Sequence, residues 1–176
     1  MCTFPILSRH TCDLLGEPYL VAYRGAFIDY HLFNIFKRLQ RVGHDRIRYL
    51  EDVIFEHLHY HAGKVAVDET YTKRGRFDDD STFMALIQKR QIAAKRLEQA
   101  LLNNEVAEYE AIRYEEVIPP NPISALTMYT SRLLFDGGLP WRWRSWLLVW
   151  FLGRYLAANG WVRPFVHFTW KIKGLL

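Results

Sequence analysis

The stretch GAFIDYHLFNIFKRLQRVG, residues 25–43, has the pattern of an amphipathic helix. Five apolar side chains recur at spacings of three and four residues, which gathers them on one broad face: Leu32, Phe33, Ile35, Phe36 and Leu39. Asp29 falls in the first turn, basic residues crowd the last turns, and Gly43 follows as a stop. We predict a helix over residues 28–41 that packs through this face.

Strands are predicted on both sides of this helix. Residues 4–15 indicate a short strand and then a short helix that ends near Gly16. Downstream, residues 46–50 alternate between polar and apolar, and residues 53–61 follow after an acidic turn. Side chains on a strand alternate between its two faces. The second strand would therefore present three histidines on one face: His57, His59 and His61.

The rest of the chain is predicted to be helical. The run Asp80-Ser81-Thr82 caps a long amphipathic helix that reaches about Asn103, and residues 105–116 either extend it or form a second, acidic helix. The proline-rich stretch at 118–122 is a break. Three helical segments follow it. The chain thus divides into three parts, residues 1–80, 81–117 and 118–176.

Composition separates the last part from the others. The chain has 176 residues, of which 50% are hydrophobic and 15% aromatic, so a packed core is expected and wholesale disorder is not. From Pro119 onward there are seven basic residues and one acid, a net charge of +6, whereas the remainder has 16 basic and 18 acidic residues. All six tryptophans lie in this basic segment. The two cysteines are too few for a disulfide scaffold.

The basic, tryptophan-rich tail suits the headgroup region of a bilayer, where indole rings and basic side chains concentrate. Arg154 interrupts the most apolar stretch and makes a membrane span expensive, which favours a helix lying in the interface. The alternative is a helical subdomain whose tryptophans form a core. Nucleic acid is not expected as a partner, because no base-reading motif accompanies the basic residues.

Read by their chemistry, the alternating histidines allow two interpretations. Imidazoles at every second strand position lie about 6.6–7 Å apart, so two of them could share a metal ion only with further ligands from elsewhere. The alternative is a polar edge strand with solvated histidines. The residues leave this choice open.

Four segments in this order resemble the C-terminal, acceptor-side half of a family 2 glycosyltransferase with the A-type fold. They read SRHTCDLLGEPYL (8–20), GAFIDYHLFNIFKRLQRVG (25–43), RIRYLEDVIFEHLHYHAGK (46–64) and DETY (68–71). The resemblance covers about 80 of the 176 residues. It implies an α+β fold, a partial A-type fold of a few strands with helices, followed by the long helix and the helical tail.

The resemblance also implies roles for single residues. Asp29 matches the general base that takes the proton of the acceptor hydroxyl. His57 or His59 matches the ligand that completes a divalent-metal site, for Mn²⁺ or Mg²⁺. Lys64 would add positive charge at the diphosphate of the nucleotide-sugar donor. From the residues alone, Asp29 could equally be a plain helix cap, and Lys64 a solvated loop lysine.

The chain departs from that family in lacking its nucleotide-binding half. No opening βαβ unit precedes Phe4, and Asp78-Asp79-Asp80, which contains Asp-x-Asp, falls after the histidine strand and is interpreted as a helix cap. We therefore expect a cytoplasmic glycosyltransferase-like protein, truncated or dependent on a partner chain or a second copy for donor binding. Its acceptor would be a glycan or a lipid-linked sugar. The alternative is a non-catalytic, membrane-peripheral remnant or interaction protein.

Overall fold

The computed structural model describes residues 5–25, 27–53, 77–106, 108 and 112–161. The chain separates into two compact units, Met1–Glu116 and Val117–Leu176. The first unit contains α1, α2, α3 and α4, and the second contains α5, a π-helical segment and α6. In chain order their bounds are Arg9–Leu15, Ile28–Arg41, Asp79–Ala85, Ile87–Leu101, Pro122–Tyr129, Thr130–Leu134 and Trp141–Ala158.

The predicted α+β class is wrong, because all regular structure in the described residues is helical and none of it is a strand. Residues 46–50 alternate in sequence but form an irregular segment. There the Ile47 N–H donates to the Asp45 carboxylate at 3.3 Å, and the Arg48 guanidinium donates to the Ile47 carbonyl at 3.1 Å. Such local bonds compete with strand pairing. The second predicted strand, beyond Val53, lies outside the described residues.

The predicted helix over residues 28–41 is confirmed as α2. Its N-cap is Phe27 and makes no side-chain capping bond, so Asp29 is not the cap but stands in the first turn. Gly43 follows the helix with φ of 94°, a left-handed conformation that glycine adopts without steric cost. The preceding α1 is capped by Ser8, whose hydroxyl accepts from the Thr11 N–H at 3.2 Å.

The long helix predicted from Asp80 to about Asn103 is divided at Leu86 into α3 and α4. The described residues of the acidic stretch that follows, 105, 106, 108 and 112–116, are not helical. Glu116 instead folds back on α3, where its carboxylate accepts from the hydroxyls of Ser81 and Thr82, each at 2.7 Å. These two bonds fix the end of the first unit against its third helix.

In the first unit, α2 and α4 lie side by side and run in the same direction. The Phe27 and Phe83 rings are 5.0 Å apart, and the Arg90 guanidinium donates to the Asn34 side chain at 3.3 Å. Both contacts join residues 56 positions apart, as expected when two helices run in the same direction. With α1 these helices enclose an apolar core. Its buried members are Leu15, Leu32, Ile35, Leu39, Ala94 and Leu97.

The second unit packs α6 against α5 and the π-helical segment. Its buried side chains are Ala125, Tyr129, Leu133, Leu139, Leu147, Phe151 and Tyr155. Asn121 caps α5 by accepting from the Ser124 N–H at 2.9 Å, and the Tyr155 hydroxyl donates to the Pro119 carbonyl at 3.2 Å. Among the helices that the structure describes, none combines the length and apolar character needed to cross a bilayer.

Candidate functional site

A cavity of about 1100 Å³ in the first unit contains Asp29 in its wall. It lies beside α1, α2, the C-terminal part of α4 and the irregular segment 46–53. Most of its wall is apolar, supplied by Leu7, Leu14, Leu32, Phe33, Phe36, Leu39, Leu97, Ala100 and Leu101, among others. Ligand cavities in proteins typically combine such a wall with a few polar groups. This cavity is slightly larger than their usual size range.

Hydrogen-bonding and charged side chains from three elements share the cavity wall. Asp29 comes from the first turn of α2, and Ser8, His10 and Thr11 come from the start of α1. The segment 46–53 adds the two guanidinium groups of Arg46 and Arg48. Hydroxyl, carboxylate and guanidinium groups around an apolar cavity suit a ligand that has both an apolar part and a hydroxylated or charged part.

Asp29 lies in the first turn of α2. Its side chain is half-buried, and the N-terminal end of a helix stabilises negative charge through the backbone dipole. A carboxylate in this position can accept a hydrogen bond from a ligand hydroxyl or take its proton. The other predicted site residues, His57, His59 and Lys64, lie outside the described residues. Their predicted proximity to Asp29 therefore stays a prediction.

A divalent-metal site stays a prediction. Within the described ranges, no three His, Cys, Asp or Glu side chains gather closely enough to hold a metal ion. The acidic run before α3 has contacts of another kind. Asp79 accepts from the backbone N–H of Arg24 at 2.7 Å, and Asp78 pairs with the Arg24 guanidinium at 3.1 Å. These bonds tie the chain before α2 to the start of α3.

Asn34, Arg38 and Arg90 form a buried polar network between α2 and α4 that was not predicted from the sequence. The Arg90 guanidinium is fully buried, donates to the Asn34 side chain at 3.3 Å and to the Phe83 carbonyl at 2.8 Å, and lies 3.8 Å from the centre of the Phe83 ring. Arg38 donates to the same Asn34 oxygen at 3.1 Å. Two cations thus share one amide oxygen inside the unit. The available signal was the row His31, Asn34 and Arg38, whose spacing places all three on one face of α2.

Tyr23 and His31 form a second buried pair beside Arg90. The Tyr23 hydroxyl and His31 Nδ1 are 2.8 Å apart and hydrogen-bonded. Burial lowers the pKa of His31 well below its ordinary value, and the nearby charges of Arg90 and Lys89 act in the same direction. Burial also raises the pKa of Tyr23 above its ordinary value. Both groups are therefore neutral near pH 7, and the pair acts as a fixed structural contact rather than as a proton donor to the cavity.

The second unit presents a row of stacked indole rings along α6. The rings of Trp143 and Trp146 are 4.8 Å apart at an interplanar angle of 19°, and those of Trp146 and Trp150 are 4.8 Å apart at 25°. Arg154 continues the row, with its guanidinium 5.3 Å from the centre of the Trp150 ring. This arrangement orders four large side chains on one side of the helix.

Comparison with known proteins gives no match to a protein-family model, to a curated protein or to a solved structure. The function must therefore be inferred from the cavity, the buried network and the surface of α6.

Proposed function

We propose that the protein provides the acceptor side of a glycosyl transfer, with Asp29 as the general base. The observation that supports this most directly is the position of Asp29 in the wall of the large cavity. The prediction of a base at Asp29 requires that an acceptor can reach this carboxylate. In support of this, Asp29 is half-buried rather than enclosed and lines the same cavity as several hydroxyl and guanidinium groups.

In the proposed reaction, a hydroxyl oxygen of the acceptor forms a bond to the anomeric carbon of the donor sugar. The bond between that carbon and the diphosphate oxygen breaks, and the nucleoside diphosphate leaves with the electron pair. Asp29 takes the proton of the attacking hydroxyl.

The apolar wall favours a lipid-linked acceptor over a free glycan. Leucine and phenylalanine side chains from α1, α2 and α4 make up much of the cavity, and a free oligosaccharide would leave this surface without a complementary contact. An alkyl or isoprenoid chain would fill it, with the sugar at the polar groups near Asp29 and the start of α1. The donor would be a nucleotide-sugar, bound with the help of a partner chain or a second copy. His57, His59 and Lys64 remain the predicted contacts to its metal ion and diphosphate.

The test is a transfer assay on the full chain with uridine- and guanosine-diphosphate sugars and an alkyl glycoside as acceptor, followed by release of the nucleoside diphosphate. Asp29→Asn should lower the rate by about 100-fold or more, the usual contribution of a general base. Asp13→Asn, which changes an exposed acid on α1 outside the cavity wall, should leave the rate unchanged. Transfer that survives Asp29→Asn at full rate would show that the base is another residue.

A second candidate is a non-catalytic binding protein that uses the same cavity, favoured by its predominantly apolar wall. Binding of the alkyl glycoside, measured by calorimetry, separates the two functions. A chain that binds this probe, loses binding on Ala100→Trp and releases no nucleoside diphosphate with any donor would be a binding protein. Calorimetry with Mn²⁺ and uridine or guanosine diphosphate, using His57→Ala and His59→Ala as controls, tests whether a donor site exists in the chain.

A further inference from the structure

We propose that the outward face of α6, with its row of tryptophans and arginines, docks on an anionic lipid surface. This interaction is separate from the proposed chemistry at Asp29, because it involves residues of the second unit only. The evidence has three parts: which side of α6 is exposed, how its aromatic rings are ordered, and what charge surrounds them.

The exposed side of α6 is apolar. Successive residues of a helix are rotated by about 100°, so Leu147, Phe151 and Tyr155 share the buried side, and Val149 and Gly153 lie opposite them. Val149 is 71% exposed, and Trp146 beside it is 40% exposed. A Cβ atom added at Gly153 would meet no atom within 4 Å, so the surface is open there. Two further tryptophans are exposed near the ends of α6: Trp141, its first residue, at 61%, and Trp161, which follows it, at 58%.

The aromatic rings of this face are already ordered. The exposed Trp146 stacks between Trp143 and Trp150, which are partly buried at the edge of this face. The guanidinium of Arg154 lies 5.3 Å from the centre of the Trp150 ring, whereas that of Arg144 is held by the Leu139 carbonyl at 2.7 Å and the Leu134 carbonyl at 3.3 Å. Indole rings favour the boundary between acyl chains and headgroups, and arginine side chains reach from there to phosphate. Stacking in the free protein reduces the side-chain entropy that would be lost on binding.

The positive charge of the second unit favours binding to an anionic surface. Its described residues include four arginines, at 132, 142, 144 and 154, and one acid, Asp136. Asp136 is only 9% exposed and accepts from the Gly138 N–H at 3.1 Å, so it adds little negative charge to the exterior. An exposed apolar strip bordered by arginines complements the anionic headgroups and acyl chains of a membrane.

The test uses the full chain and vesicles of phosphatidylcholine, with or without phosphatidylserine, in a sedimentation assay at low and high salt. The informative variants are Gly153→Glu and Val149→Glu, which place an acid on the outward face. Gly153→Ala controls for the change in helix propensity at position 153, and Val21→Glu controls for a new acid at an exposed valine of the first unit, which is 96% exposed. Circular dichroism checks that each variant is folded.

We expect binding to vesicles with phosphatidylserine, weakened by high salt and weakened about fivefold or more by each acid on α6. The two control variants should bind like the unmodified chain. No binding to phosphatidylserine vesicles would overturn the proposal, and so would equal binding to both vesicle types. It would also be overturned if Val149→Glu abolished self-association in ultracentrifugation and left vesicle binding unchanged, since the face would then join two copies of the chain.

Discussion

The helices α2 and α6 distribute polarity in opposite ways. Seven of the 14 residues of α2 are charged or carry an amide or imidazole group. The structure describes all 14 of these residues, and among them only Arg41 is exposed. In α6, the charged residues are three arginines among 18 residues, and yet aromatic and aliphatic side chains such as Trp146 and Val149 face outward. One helix encloses polar groups, and the other exposes apolar ones.

The difference shows that burial follows the available partners rather than the polarity of a helix. The polar residues of α2 are buried because α4 supplies Arg90 to the same amide oxygen that Arg38 uses, and because Tyr23 meets His31. The described residues of the second unit cover only one side of α6. Its outward apolar face therefore points to a further contact surface.

The largest expected effect concerns Arg90, on which the enclosed side of α2 depends. Arg90→Ala should lower the free energy of unfolding by about 3–5 kcal/mol, because it leaves the Phe83 carbonyl without its buried partner, removes one of the two donors to the Asn34 oxygen and opens a void beside the Phe83 ring. Chemical denaturation measures this loss. The matched variant Lys95→Ala, at an exposed position on the same helix, should change stability by less than about 0.5 kcal/mol. Equal losses in the two variants would mean that the network contributes nothing specific.

A smaller effect distinguishes the covered side of α2 from the outward side of α6. Ile35→Ala removes a core side chain that is 2% exposed and should cost about 2–5 kcal/mol. Val149→Ala removes apolar surface that is already in water, so it should cost less than about 0.5 kcal/mol. Both are measured by denaturation of the chain without lipid. A large loss at Val149 would show that the outward face of α6 is covered within the protein itself.

The smallest effect is the pH dependence contributed by His31. Its pKa is lowered in the folded protein, so the unfolded chain binds the proton more readily. The contribution of His31 to the free energy of unfolding is constant above the ordinary histidine pKa of about 6.5. It is lost as the pH falls below that value, at up to about 1.4 kcal/mol per pH unit. The free energy of unfolding, measured by denaturation at several pH values between 7.5 and 5, should change less with pH in His31→Gln than in the unmodified chain. An unchanged slope would exclude His31 as the source.

Helix α2 could be predicted from the sequence because its evidence is local. The spacing of Leu32, Ile35 and Leu39, the acid in the first turn and Gly43 all act within one helix and gave its bounds correctly. The division of the next helix at Leu86 could not be predicted in this way. The contacts around this division come from outside the local sequence pattern: the Phe83 ring packs against Phe27, the N-cap residue of α2, and the Arg90 side chain of α4 donates to the Phe83 carbonyl of α3.

The strand predicted at residues 46–50 is wrong for a related reason, because strand formation also depends on contacts outside the local sequence. Alternation shows only that a segment can pair, whereas a strand also needs a neighbour for its backbone groups. Asp45 and Arg48 satisfy some of these groups locally, and Tyr49 remains 85% exposed. For the site, the sequence singled out Asp29 but not the cavity around it, because the wall combines residues from elements far apart in the chain.

The parallel course of α2 and α4 has a consequence for the order of folding. Their contacts join residues 56 positions apart, so the chain must close a long loop before Phe27 reaches Phe83 or Asn34 reaches Arg90. The second unit pairs α6 with helices that immediately precede it, and its contacts are close in sequence. Low contact order favours rapid folding. The second unit can therefore form its native contacts before α2 and α4 of the first unit meet.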